Sequence, residues 1–362
     1  MAASGHATPF FPQLSAQTAL AQPAAELNGI ARMAAQSLCV EAKRETKYFL
    51  LPVKSILNRC DSERVPFAWT INPYRGCEFG CRYCYARYTH EYMEQDPADF
   101  ERKIYVKQNA GPLLARDLRE HLHSLTSSPS PLAPDSIALG TATDPYQPAE
   151  QVFGTTRAIL EQFAAHEGLD VSITTKSNRI VRDLDLLRRI AARSTLHINI
   201  TVTTMRPRLA RLIEPRAPRP DLRLEAVRKL RDAGLSVGVF AMPILPGLTD
   251  PAADLDALCA AAREAGALWL GAQVLFLMPS SLKTFLPFLE EKFPRLARQY
   301  RHWYSRGGYA PQKYRQDISA RIAALRKKYD LPSRPYAPDR MAKAGCIPAQ
   351  LTLNLPVAHS AA

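Results

Sequence analysis

The sequence predicts an α/β fold, a partial (βα)6 TIM-like barrel with N- and C-terminal extensions. Three observations predict it. Six short apolar runs, at 69–74, 136–141, 171–176, 196–203, 236–243 and 268–275, read as strands. The last five alternate with amphipathic segments, and apolar, β-branched strands separated by helices make a parallel sheet covered by helices. Six βα units are fewer than the eight of a closed barrel, so the sheet is curved and partly open; an open doubly wound sheet also fits the count. In both arrangements ligands bind at the C-terminal ends of the strands.

Taken in order, residues 1–45 form a flexible extension rich in Ala, Gln, Ser and Pro, with a short helix near 24–38. The core barrel spans 46–280. It opens with a lead-in at 47–68, whose Phe49, Leu50, Leu51, Val53, Ile56 and Leu57 pack on the main domain. Residues 125–135 are a Ser/Pro loop. Asn178 can cap a helix with the apolar stripe Ile180, Leu184, Leu187 and Ala191. Asp221 can cap another, with Leu224, Val227 and Leu230 inward and Gly234 as its stop. A third helix at 253–265 turns Leu255, Leu258, Cys259 and Ala262 to one face before Gly266. Residues 281–330 are a helical extension broken near Gly307 and Gly308, and 331–362 a loosely ordered Pro- and Ala-rich tail.

The chain has 362 residues, of which 46% are apolar and 22% charged, ordinary for a soluble globular protein. Its net charge of +13 attracts polyanions, nucleic acid first among them, although many basic enzymes bind none. No Lys or Arg precedes Arg32, so a secretory signal with a basic start is not expected, and the apolar run 268–279 is too short to span a bilayer. The expectation is a cytoplasmic protein without a membrane anchor. Seven cysteines, an odd number with three inside eight residues, indicate a metal site in a reducing compartment and not a disulfide framework.

That cluster lies in Asn72-Pro-Tyr-Arg-Gly-Cys77-Glu-Phe-Gly-Cys81-Arg-Tyr-Cys84-Tyr-Ala-Arg87, directly after the first strand. Gly76 and Gly80 let the loop wrap a bulky group. Thiolates are soft ligands that select iron–sulfur clusters or zinc. A structural zinc site would show a second ligand pair, and only His90 lies near. A cubane cluster normally takes four cysteines. Cys39, Cys60 and Cys346 stand alone in the extensions, and Cys259 falls on the apolar face of a helix. Cys77, Cys81 and Cys84 therefore hold a [4Fe–4S] cluster with one open iron, the arrangement of a catalytic cluster.

With C-x3-C-x2-C after the first barrel strand, the sequence resembles the radical S-adenosylmethionine superfamily. The match extends to NPYRGCEFGCRYCYARYTHEYM, KSILN at 54–58, ALGTATDPYQPAE at 138–150, TTKS at 174–177, TVTT at 201–204, EPRAP at 214–218 and PILPGLTD at 243–250. These motifs resemble the bacterial DNA repair photolyase branch related to spore photoproduct lyase, over roughly residues 50–290. The resemblance implies S-adenosylmethionine as cosubstrate, chelated by the open iron and cleaved reductively to methionine and a 5′-deoxyadenosyl radical that abstracts hydrogen from the substrate. It also implies a reduced flavodoxin or ferredoxin-type electron donor and, for this branch, nucleic acid as a candidate substrate; a radical enzyme acting on a small molecule or protein, and an iron–sulfur electron carrier without radical chemistry, stand as alternatives.

By the same resemblance Tyr83 and Tyr85 correspond to a pair that relays hydrogen atoms; a plain shielding role for the aromatic after the last cysteine competes with it. Thr141, Thr143 and Asp144, with Gly140, end the second strand and suit contacts to the methionine ammonium or ribose; a simple turn is the competing reading. Lys176 and Ser177 end the third strand, and Lys176 would pair the cofactor carboxylate. Thr203 and Thr204 hold the equivalent place on the fourth, and Arg216, just after Glu214, could pair the same carboxylate. Met242 and Pro243 wall the adenine pocket or belong to the core. His90, His121 and His123 read as structural. One departure stands out. Spore photoproduct lyase has a further cysteine at the end of its second strand that returns hydrogen to the substrate radical, whereas here no cysteine lies between Cys84 and Cys259. This counts against thymine-dimer repair by the same relay.

Overall fold

The computed structural model describes residues 27–43, 45–61, 65–125, 136–305 and 307–334. Most of the N-terminal extension, the Ser/Pro loop, most of the tail and Cys346 lie outside the described residues. The short helix α1 (Gly29–Ala35) leads into β1 (Cys39–Lys43), β2 (Thr46–Leu51), β3 (Leu57–Arg59), β4 (Trp69–Ile71) and β5 (Tyr74–Arg75). The cysteine loop and α2 (Tyr88–Glu91) come before β6 (Lys103–Lys107) and α3 (Ala110–Leu125). Alternation then sets in: β7 (Ile137–Leu139), α4 (Glu150–Phe153), α5 (Thr155–Ala165), β8 (Asp170–Thr175), α6 (Leu184–Arg193), β9 (Thr195–Thr201), α7 (Pro207–Ile213), α8 (Pro220–Asp232), β10 (Val237–Ile244), α9 (Ala252–Glu264) and β11 (Leu270–Val274). Three helices follow, α10 (Pro279–Lys292), α11 (Pro294–Trp303) and α12 (Gln312–Tyr329).

The main sheet has seven strands in the order β11-β10-β9-β8-β7-β4-β3. From β4 to β11 all six neighbours run parallel, and only β3 is antiparallel. These six are the strands that the sequence predicts. A doubly wound sheet reverses its order at a switch point. Here every βα unit steps the same way, as in a barrel, which decides between the two arrangements. Ile71, Leu139, Ile173, Ile198, Ile200 and Val239 of the sheet are buried against Ile159 and Phe163 of α5, Leu187 and Ile190 of α6, Val227 and Leu230 of α8 and Leu258 and Cys259 of α9.

A second sheet, β1-β2-β6-β5, was not expected from the sequence. It converts the lead-in from packed irregular chain into strand: Thr46–Leu51 pairs in parallel with Lys103–Lys107, which in turn pairs with Tyr74–Arg75.

Two helix starts also differ from the reading above. Asn178 begins a 3-10 stretch, Asn178–Asp183, whose first turn is capped by Ser177 accepting from the Arg179 amide at 3.3 Å. A 3-10 turn winds three residues per turn instead of 3.6, so the stripe rotates. Leu186, Leu187 and Ile190 face inward, and Ala191 is exposed. Asp221 lies inside the first turn of α8, paired with Arg219 at 2.6 Å, because Pro220, preset in φ and lacking an N–H, takes the first helical position. Leu224, Val227 and Leu230 are buried as expected, and Gly234 follows at φ +81.

Candidate active site

The C-terminal ends of the parallel strands carry the candidate residues. Cys77, Cys81 and Cys84 sit on one loop between β5 and α2, the first two buried and the third half-buried. The loop turns on two glycines at positive φ. Gly76 has φ +83, and a Cβ there would stand 2.6 Å from the Lys103 carbonyl oxygen. Gly80 has φ +62.

Three side chains clamp this loop from outside. The buried Arg87 donates to the Cys81 carbonyl at 3.3 Å and pairs with Glu101 at 2.6 Å. Gln147 accepts from the Glu78 amide at 2.9 Å and donates to the Gly76 carbonyl at 3.1 Å. Thr143 donates to the same carbonyl at 2.7 Å. From the other side α10 lies across the loop, with the Ser281 hydroxyl donating to the Cys84 carbonyl at 2.7 Å. Phe285, Leu289 and Tyr300 continue the apolar cluster that includes Cys77, Phe79, Cys81 and Tyr83.

Burial pushes all three thiols up, and they add to one another: Cys81 and Cys84 act on Cys77, and Cys84 acts on Cys81. Left to themselves they stay protonated. A metal replaces those protons. Three soft donors on one glycine-shaped loop, two buried and one half-buried, fit an iron–sulfur cluster in their chemistry, although among the described residues no three His, Cys, Asp or Glu side chains stand grouped to hold a metal ion.

Behind the loop stands a buried polar network. The Tyr83 hydroxyl donates to Glu214 and lies 3.1 Å from the Thr203 hydroxyl, which donates to Glu214 at 2.6 Å. Arg223, 1% exposed, pairs with Glu214 and donates to the carbonyls of Thr201 at 3.1 Å and Pro218 at 2.7 Å. The Lys176 ammonium is 3.8 Å from Glu214 and 6.0 Å from the Tyr83 ring centroid. Burial pushes the Glu214 carboxyl up, but Arg223 and Lys176, with hydrogen bonds from Thr203 and Tyr83, outweigh it and hold it at about 2.

The remaining candidates divide by partner. Asp144 accepts from the Thr175 hydroxyl at 2.6 Å, the Lys176 amide at 2.7 Å and the Tyr146 amide at 2.9 Å, tying the end of β7 to the end of β8. Thr141 exchanges hydrogen bonds with Asn72, and its carbonyl receives the Tyr85 hydroxyl. Ser177 is buried as a cap. Arg216 is exposed and donates to the Glu101 carbonyl at 3.3 Å, away from the Glu214 network. His90 is buried beside Phe100 and Tyr105, and the His121 ring lies tilted against Trp69 at 4.7 Å. Sequence reasoning missed Gln147, Arg87 and Arg223 as parts of the site. The first two stand in the quoted motifs, whereas nothing around Arg223 sets it apart from the neighbouring surface arginines.

The Radical SAM superfamily model matches residues 71–258, from the end of β4 into α9. The chain belongs to this superfamily and is a radical S-adenosylmethionine enzyme. An uncharacterized protein of Mycobacterium tuberculosis is 37% identical over 304 residues, 83% of this chain and 86% of the relative. An uncharacterized protein of Methanocaldococcus jannaschii is 29% identical over 188 residues, 52% of this chain and 64% of the relative. Among solved structures, a spore photoproduct lyase mutant with bound AdoMet and dinucleoside spore photoproduct aligns with a TM-score of 0.57 at 16% identity, covering 84% of this chain and 86% of that one. Among the described residues, no helix is long and apolar enough to cross a membrane.

Proposed function

We propose that this radical enzyme holds a [4Fe–4S] cluster on Cys77, Cys81 and Cys84 and acts on nucleic acid in the cytoplasm, reduced by a flavodoxin or ferredoxin-type donor. The observation that carries the reading is the set of three thiols, two buried and one half-buried, on one loop at the C-terminal mouth of a parallel sheet. When bound, the cluster supplies the electron that cleaves S-adenosylmethionine and starts hydrogen abstraction. The chain's own residues position and shield. Lys176 and Thr203 are assigned to the cofactor's polar groups, with Thr141 across the mouth. Thr143, Asp144 and Ser177 hold the loops that shape its seat, and Arg216 braces the Glu101 carbonyl outside it. Glu214 and Arg223 fix Tyr83, so Tyr85, whose hydroxyl rests against the Thr141 carbonyl, is assigned as the hydrogen donor to the substrate radical.

Nucleic acid is supported by the net charge of +13 and by the fold shared with an enzyme whose solved structure carries a dinucleoside photoproduct. Anaerobic reconstitution with iron and sulfide, then reduction with S-adenosylmethionine, should release 5′-deoxyadenosine from wild type and none from Cys77→Ala, Cys81→Ala or Cys84→Ala. Tyr85→Phe should still release it. A fully loaded wild type that releases none would sink the cluster assignment as a radical initiator. Oligonucleotide affinity indifferent to salt would remove nucleic acid as substrate.

A further inference from the structure

At the seam between the two sheets lies a cavity of about 160 Å³ that the chemistry above does not use. Its walls include Lys107 at the end of β6, Arg75 on β5, Tyr88 and Tyr92 of α2, and Asn72 with Ala142. Lys107 is only 6% exposed. Among the described residues its ammonium has no carboxylate or hydrogen-bond partner. Arg75 reaches the Thr89 carbonyl at 3.4 Å through one terminal nitrogen, and its Nε is buried without a partner. A buried ammonium without a counter-charge costs several kcal/mol, and cations in that state are normally paired. Burial first, and the Arg75 charge second, push Lys107 down to about 7. The cavity thus presents a guanidinium whose Nε is unpaired and an ammonium with no carboxylate beside it, between aromatic rings, Tyr88 against Tyr92 at 5.4 Å.

We infer that this cavity is a phosphate-binding subsite in which Lys107 and Arg75 hold one phosphodiester of a nucleic acid strand, with Tyr92 at its mouth as a stacking surface. Phosphate matches the donors: a compact ammonium and a guanidinium are the groups that bind it. An exposed ring beside a phosphate seat suits an unstacked base, and Tyr92 is 54% exposed. The place is also apt. Asn72 accepts from the Ala142 amide at 2.7 Å, so the cavity wall is continuous with the Thr141 stretch against which Tyr85 rests. A strand anchored there leads toward the candidate active site. This deepens the nucleic-acid reading and rests on it for the source of the phosphate, though not for the pocket.

The test uses the full chain, with inorganic phosphate and a labelled single-stranded oligonucleotide as probes, and wild type, Lys107→Met and Tyr92→Ala as proteins. Oligonucleotide binding should weaken about ten-fold in Lys107→Met, the loss of one charge-assisted hydrogen bond, and its salt slope should fall by about one. Phosphate should raise the melting temperature of wild type and Tyr92→Ala but not that of Lys107→Met. Lys107→Met should itself melt no lower than wild type without ligand, because it removes a buried unpaired charge, so lost binding cannot be laid to misfolding. Tyr92→Ala should weaken oligonucleotide binding alone. If phosphate binds and the oligonucleotide does not, the pocket stands and the nucleic-acid reading falls. Equal oligonucleotide affinity in wild type and Lys107→Met would overturn the pocket and leave that reading intact. No response to either probe would overturn both.

Discussion

Glu214 shows how one carboxylate serves a site it does not face directly. It gathers Tyr83, Thr203, Arg223 and Lys176 around two oxygens in a fully buried position. Removing one partner of a buried pair leaves the other uncompensated, so Glu214→Gln should cost about 3–5 kcal/mol in urea unfolding at neutral pH. The pH dependence has a definite sign. The folded carboxyl is held at about 2, below its ordinary 4.5, so its stabilisation is full above 4.5 and is lost as pH falls toward 2. The gap between wild type and Glu214→Gln should close over that interval. At this scale the sequence was half legible. The three thiols are seven residues apart at most and announce themselves by spacing. Tyr83 and Glu214 are separated by 131 residues, and only the fold reveals them as neighbours.

Strands with a clear apolar pattern were the readable ones. β8 and β9 alternate apolar with polar residues, and β10 is a nearly continuous apolar run of the kind a covered parallel sheet produces. The second sheet escaped because its strands look like something else: Lys103 and Lys107 bracket β6, and Phe49, Leu50 and Leu51 run together in β2 without alternation. Within β10, Gly238 leaves the space that Trp269 fills, since a Cβ there would stand 2.1 Å from the indole. Trp269 is fully buried and donates to Asn199 of β9 at 3.0 Å. Gly238→Val should displace the ring, cost about 1–3 kcal/mol by overpacking and shift tryptophan emission to the red. Unchanged emission and stability would mean that the strand yields more easily than its packing indicates.

Across the whole molecule, the charge of +13 is a statement about encounter more than about fold. If a strand makes about six phosphate contacts, affinity should drop roughly 10³-fold between 50 and 200 mM salt, measurable by anisotropy of a labelled oligonucleotide. The order of the parts along the chain has a further consequence through the hydrogen bond between Ser281 and Cys84, whose residues are 197 apart. Synthesis runs from the N-terminus, so the thiol loop leaves the ribosome long before α10 exists to lie over it. At roughly 5–20 residues per second the interval is about 10–40 s. During that time the three thiols of the nascent chain stand uncovered by α10, and on the proposed assignment a cluster acquired then would enter before the last quarter of the protein closes over them.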